Sequence, residues 1–374
     1  MHLGHTVHVL ACAGRPGPEL RTNESNGVLV HRIQPPDEAS GAAYWLGYSW
    51  LVYRQLRALE RQYDFDVIVF PEYGAEGYVY LLDRDPWAPT PVVVHLHCGI
   101  ALLAERIGWP ESGSDLLRVG THMEETTIRL ADGLTSSSSN IADFTADYYD
   151  VPRDAIDVVH SGIDLNLFRP APAPAKGVRP IVLFVGNVAE NKGVVTAFEA
   201  VRRLRERYPD VVLQILGPDD DGLGARLARE GESWIELLAF VDDPIEMPGH
   251  YRRASVLCAP SQHEGGVGIV YLEAMACGLP VVAAANGGTL ESVVDGETGY
   301  LVPAGDVEAT AAALDRILGD PTVRRDLGEA ARRHVEGYFG NDQYVERLLP
   351  VLERTVARVG GTPAALAATR GSEA

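Results

Sequence analysis

The chain has very little lysine. Among its 374 residues only Lys176 and Lys192 are lysines, and arginine carries nearly all the positive charge. A lysine kept in so poor a background is informative, because a compact ammonium and a planar guanidinium are not interchangeable at phosphate sites. Cysteine is scarce too: Cys12, Cys98, Cys258 and Cys277 are scattered, with no C-x-x-C pair. That speaks against a disulfide or zinc framework and fits a reducing, cytoplasmic compartment. No apolar run reaches the ~18 residues expected of a membrane span. The start, MHLGHTVHVLACAG, lacks the basic region and apolar core of a signal peptide. A basic surplus is also missing. The net charge of −20 argues against a nucleic-acid partner, which needs a basic face. No docking on anionic lipid is indicated. Finally, no G-x-G-x-x-G follows an early strand, which disfavours a dehydrogenase.

What is present is length, a normal apolar fraction of 46% and alternation. The chain is too long for one ordinary core, so two domains are expected. Strands are expected at 7–11, 28–33, 64–70, 91–96, 133–136 and 156–161, with helices over 44–63, 111–130 and 137–149 between them. A Pro/Ala-rich stretch without periodicity, RPAPAPAKGVRP at 169–180, reads as a linker. The alternation then restarts with strands at 181–185, 211–216, 235–241, 255–259 and 281–285. Val194, Phe198, Val201, Leu204 and Tyr208 form a helical stripe. Asp306 is a plausible N-cap, a last helix runs over 343–358, and the tail from Gly360 reads as disordered. Strands alternating with helices imply parallel sheets. The expected fold class is therefore α/β with two doubly wound, Rossmann-like domains facing across a cleft. The boundaries are 1–168 for the first domain, 169–180 for the linker, 181–340 for the second, 341–359 for a C-terminal helix and 360–374 for the tail. In such folds ligands bind outside the carboxyl ends of the strands.

The most informative stretch is APSQHEGGVGIVYLEAMACGLPVVAAANGG, residues 259–288. Gly265, Gly266 and Gly268 make a turn in which backbone N–H groups can approach a ligand without interference from Cβ atoms. A helix follows over 269–277, ended by Gly278 and Pro280. A glycine-rich loop feeding a helix N-terminus is an anion site. Glu264 stands before the turn and Glu273 inside the helix.

These residues, together with FVGNVAENKG, HSGIDLNLF, NGGTLESVVDGETGYLV and the strand-end histidine of VVVHLH, resemble the retaining glycosyltransferases of family 4, the glycogen-synthase-like GT-B group. The resemblance covers nearly the whole chain. It implies a sugar moved from a nucleoside-diphosphate sugar to an acceptor hydroxyl (on a glycan, lipid or small metabolite) with retention, and no metal or other cofactor. The implied catalytic residues are His97, Lys192 and Glu264. The implied donor-binding residues are Gly186, Asn187, Lys192, Glu264, Gly265, Gly266, Gly268, Ile269, Val270 and Glu273. Lys192 neutralises the departing diphosphate, Glu264 contacts sugar hydroxyls, Glu273 contacts the ribose, and the N–H groups of Gly268, Ile269 and Val270 hold phosphate. His97 faces the sugar across the cleft; His95, two positions away, shares its face of the strand.

Three features depart from the family pattern. Asn187 stands where the family carries a second cation. Eight residues separate Glu264 from Glu273 instead of seven. The start resembles the end of the family's first helix and its second strand, so the first strand and its loop are expected to be missing from the first sheet. Asp219-Asp220-Asp221 reads as a solvated turn. Gly287 and Gly288 are placed to approach the donor, and Glu291 either joins them or caps the next helix. The alternatives to a transferase are a sugar-nucleotide epimerase of the same fold and a donor-binding protein that does not turn over; a phosphorylase would need Lys192 as a pyridoxal-phosphate lysine.

Overall fold

The structure is a computed structural model that describes residues 3–12, 20–36, 40–87, 89–170, 179–238, 240–241 and 243–360. The central part of the expected linker, 171–178, and the tail from 361 lie outside the described residues. The chain divides into two compact units: residues 1–137, 141–158 and 347–374 in the first, and 138–140 and 159–346 in the second.

In the first unit, β1 (His8–Cys12), β2 (Leu20–Ser25) and β3 (Val28–Ile33) form one sheet in the order β1-β3-β2. β1 runs parallel to β3 and β2 antiparallel to it. β2, a polar strand not expected from its composition, is joined to β3 by Asn26-Gly27, both with positive φ. That dipeptide is the favoured two-residue hairpin turn, because its twist matches the strands. A second, all-parallel sheet has β4 (Ile68–Pro71), β5 (Val92–Leu96), β6 (Gly133–Ser136) and β7 (Ile156–Val158) in that order. β5 is buried at every position, as expected of a strand covered on both faces. The unit thus carries two separate sheets where one continuous sheet is usual. β1 and β4 are edge strands, with Val9 and Val69 exposed. The C-terminal residues from 347 belong here: Arg354 pairs with Asp157 at 2.8 Å, and Thr355 lies against Gly133.

The second unit is one six-stranded parallel sheet. Its strands are β8 (Ile181–Val185), β9 (Val212–Leu216), β10 (Ile235–Leu238), β11 (Val256–Ala259), β12 (Val281–Ala284) and β13 (Gly299–Val302). The order is β10-β9-β8-β11-β12-β13, which is the doubly wound 3-2-1-4-5-6 order. β13 adds a sixth strand to the five expected. Four of the six, β8, β11, β12 and β13, carry no charged or amide side chain, and β8, β9, β11 and β12 are buried at every position. Helices at Val194–Leu204, Ile269–Ala276, Val307–Gly319 and Pro321–Tyr338 complete the core. Asp306 caps its helix by accepting the Ala309 N–H at 2.8 Å. The strand order reverses between β8 and β11, so the carboxyl ends of these two strands flank the position where this architecture binds ligands.

Candidate functional site

At that reversal β8 ends at Val185 and continues into Gly186, which has φ +144. The Gly186 N–H donates to the Leu216 carbonyl at 3.0 Å, tying the ends of β8 and β9 together. Asn187 is exposed. A short 3-10 turn, Glu190–Lys192, then precedes Gly193 at φ +82. A Cβ on Gly193 would overlap the Pro260 carbonyl, so the glycine lets the loop after β8 rest on the loop after β11. Ser261 and Gln262 complete the seam through the Asn191 carbonyl, at 3.2 and 2.8 Å. The result places the Lys192 Nζ 3.7 Å from Glu264 Oε2, with the lysine side chain 37% exposed and the carboxylate 22%. Burial raises the Glu264 pKa and the Lys192 charge opposes that rise.

The loop from Glu264 to Gly268 is held by its carbonyls. Gly288 N–H donates to Glu264 O at 2.9 Å. Ser138 Oγ and Asn140 Nδ2 donate to Gly265 O at 2.8 and 3.1 Å, and Ser292 Oγ to Val267 O at 2.6 Å. Asn286 accepts the Glu264 N–H at 3.0 Å and donates to Ser261 O at 2.9 Å. By contrast, the N–H groups of Gly265, Gly266, Val267, Gly268, Ile269 and Val270 find no acceptor among the described residues. Gly268 has φ +71 and is the N-cap of the helix Ile269–Ala276. Six unpaired donors leading into a helix N-terminus make this turn a candidate anion cradle. Glu273 lies one turn further along the helix. It accepts the Tyr251 hydroxyl at 2.5 Å. Burial raises its pKa and that hydrogen bond opposes the rise.

The structure brings Lys192, Glu264, the glycine turn and Glu273 into one unit of the chain, around the ends of β8 and β11. Asn187 makes no side-chain hydrogen bond to any of them. Three expectations are refined. Gly287 and Gly288 approach protein rather than open space: a Cβ on either would overlap the Glu264 or Gly266 carbonyl. Glu291 caps no helix after it; it accepts the N–H groups of Ser139 and Asn140 at 2.8 and 3.1 Å and pairs with His160 at 2.7 Å. Asp219 is an ordered cap, accepting the Gly224 and Ala225 N–H groups at 2.8 and 2.9 Å. Tyr251 and Asn286 are supporting residues that no sequence signal marked.

In the first unit His97 follows β5 directly and keeps solvent contact, while burial of its ring lowers its pKa. His95 is buried, bonded through Nδ1 to Thr135 Oγ1 at 2.6 Å, and burial followed by the His97 charge lowers its pKa to about 3. The two rings meet edge to face at 4.3 Å. Both imidazoles are therefore neutral near pH 7. Among the described residues no helix is long and apolar enough to cross a membrane.

Two Rossmann-like α/β units, one with a candidate anion site at its switch point, have the fold of the GT-B class. Residues 169–334 match the family described as glycosyl transferases group 1, and residues 1–167 match glycosyltransferase family 4. A D-inositol 3-phosphate glycosyltransferase of Kribbella flavida is 36% identical over 296 residues, 72% of this chain and 67% of that one. For further relatives of the same name the matched stretch spans from 55% to 75% of their length. Among solved structures, sucrose-phosphate synthase from Thermosynechococcus elongatus has a TM-score of 0.79 at 23% identity, covering 96% of this chain and 92% of that one. Anabaena HepE, solved with UDP-glucose, has a TM-score of 0.67 at 19% identity, covering 94% and 99%. The chain belongs to glycosyltransferase family 4.

Proposed function

We propose that this protein transfers a sugar from a nucleoside-diphosphate sugar to an acceptor hydroxyl, with retention of anomeric configuration and without a metal. The observation that carries this reading is the Lys192–Glu264 pair at 3.7 Å beside the unpaired N–H groups of Gly265 to Val270. The cradle and Lys192 together take the diphosphate. Preorganised donors and a point charge at an oxygen that gains charge as the bond breaks do more in a dry site than in water. Glu264 is placed for the sugar hydroxyls and Glu273 for the ribose; a carboxylate accepts from two hydroxyls at once. His97, neutral and at a strand end, contacts the transferred sugar. Following the family resemblance, departure and attack take place on one face, and the leaving phosphate accepts the acceptor's proton; among the described residues no side chain of the second unit is set up as a covalent nucleophile. HepE, solved with UDP-glucose, supports a nucleotide-sugar donor. The name of the Kribbella relative makes a cyclic polyol the first acceptor class to try.

Glu273→Ala is expected to weaken nucleoside-diphosphate binding by roughly 10- to 100-fold, the loss of one or two hydrogen bonds to a charged group. Isothermal calorimetry checks it, and an unchanged affinity removes the ribose role. A donor-binding protein that does not turn over is the second reading, favoured by the uncharged, exposed Asn187. It predicts the same calorimetry and no reaction.

A further inference from the structure

The loop that carries His97 is gripped by two carboxyl groups that the transfer reaction leaves unused. Glu72, just after β4, accepts the His97 N–H at 2.7 Å through Oε2 and the Cys98 N–H at 2.7 Å through Oε1. It also accepts its neighbour's N–H, from Tyr73, at 3.0 Å. Glu124, on the helix Asp115–Leu130, accepts the Ile100 N–H at 2.9 and 3.0 Å with its two oxygens and the Tyr149 hydroxyl at 2.9 Å. Gly99 sits between these contacts; a Cβ there would come within 2.9 Å of Glu124 Oε2. Residues 97–100 are therefore fixed from two sides by groups that belong to two different elements.

This arrangement is expensive. Glu72 is 2% exposed and Glu124 0%, and neither forms an ion pair with a cation among the described residues. Burying a carboxyl without a cation costs several kcal/mol unless its oxygens are filled with donors. A helix start such as Ile100 needs only a serine or aspartate cap. Burial raises Glu72 to about 7, and burial with the Glu72 charge raises Glu124 to about 8. What the cost secures is the backbone position of His97. Its ring is meanwhile held against His95, which is itself fixed by Thr135.

We propose that Glu72 and Glu124 form a clamp that sets the His97 ring for sugar transfer, acting as positioning residues through His97. This rests on the reading that His97 contacts the transferred sugar. The same site then has three dedicated supports in the first unit, Glu72, Glu124 and His95, where the sequence marked only the two histidines.

A double-mutant cycle tests it, with kcat, donor KM and nucleoside-diphosphate thermal shift measured on the full chain. His97→Ala is expected to lower kcat about thirtyfold, the value of one transition-state hydrogen bond. Glu72→Gln, of the same shape but with an amide facing N–H donors, is expected to lower kcat about tenfold and less than about twofold in the His97→Ala background. The nucleoside-diphosphate thermal shift stays unchanged, since the residues proposed to hold the nucleotide lie in the second unit. Equal fold-losses in both backgrounds, or no loss in the wild type, overturn the clamp. If Glu72→Gln does not fold, Glu124→Gln takes its place in the same cycle and is read by the same criteria. A wild-type kcat in His97→Ala overturns the role of His97 and the clamp's purpose with it, whereas a deep His97→Ala loss beside a neutral Glu72→Gln overturns the clamp alone.

Discussion

Lys192→Ala is expected to lower kcat by roughly 10²- to 10³-fold, the usual cost of removing one preorganised stabiliser of developing charge. The loss in nucleoside-diphosphate affinity is expected to be much smaller. Lys192 ends the 3-10 turn just before the helix Val194–Leu204, and its ammonium reaches Glu264 at 3.7 Å across the seam between two loops. In the resting protein that carboxylate partly satisfies it. When a diphosphate leaves, the charge on the departing oxygen grows, and the interaction with Lys192 grows with it. On the proposed reading, the N–H groups of the glycine turn bind ground state and transition state more evenly. Steady-state kinetics and calorimetry on the same variant separate the two terms. An equal loss in kcat and in affinity would show that Lys192 only binds. With Asn187 uncharged, no second cation from that loop shares the task, so Lys192→Arg is not expected to restore full activity: a wider, planar group does not reproduce a point charge.

Gly287→Ala is expected to cost about 3 kcal/mol or more of stability, a class of loss reached only by named backbone or core defects. Gly287 has φ +50, and its added Cβ would overlap the Glu264 carbonyl. That carbonyl cannot yield easily, because it accepts the Gly288 N–H while the Glu264 N–H is held by Asn286. The strain of a left-handed residue alone is about 1–2 kcal/mol. Gly305→Ala supplies that term in isolation, since Gly305 has φ +75 and nothing within 4 Å of its added Cβ. Urea unfolding followed on both variants gives the comparison. Equal losses would mean that the Gly287 contact is soft and that the loop carrying Glu264 can shift.

Much of this arrangement was legible in the sequence because it depends on local composition. β8 and β12 are continuous apolar runs, the helix Ile269–Ala276 is bounded by Gly268 and Gly278-Pro280, and Asp306 reads as a cap that the structure shows bonded to Ala309. β2 was not legible by periodicity, since Leu20–Ser25 is polar; the Asn26-Gly27 turn was the available signal. The helix Pro321–Tyr338 likewise opens on Asp320 with proline at its start, a start signal obscured by its highly charged sequence. The supporting residues were illegible for a different reason. Glu72 and His97 are 25 residues apart, as are Glu124 and Tyr149, and Tyr251 meets Glu273 across 22. Such partners are chosen by the packing of separate elements, and no spacing rule announces them.

The most direct measurement is release of nucleoside diphosphate from UDP-, GDP- and ADP-sugars, presented with a panel of hydroxyl acceptors. Acceptor-dependent release from one of these donors is expected, with a product of the donor's anomeric configuration by NMR and near-complete loss in Lys192→Ala. Tight nucleotide binding with no release from any donor would contradict the proposed transfer, and so would a change in the sugar that needs no acceptor.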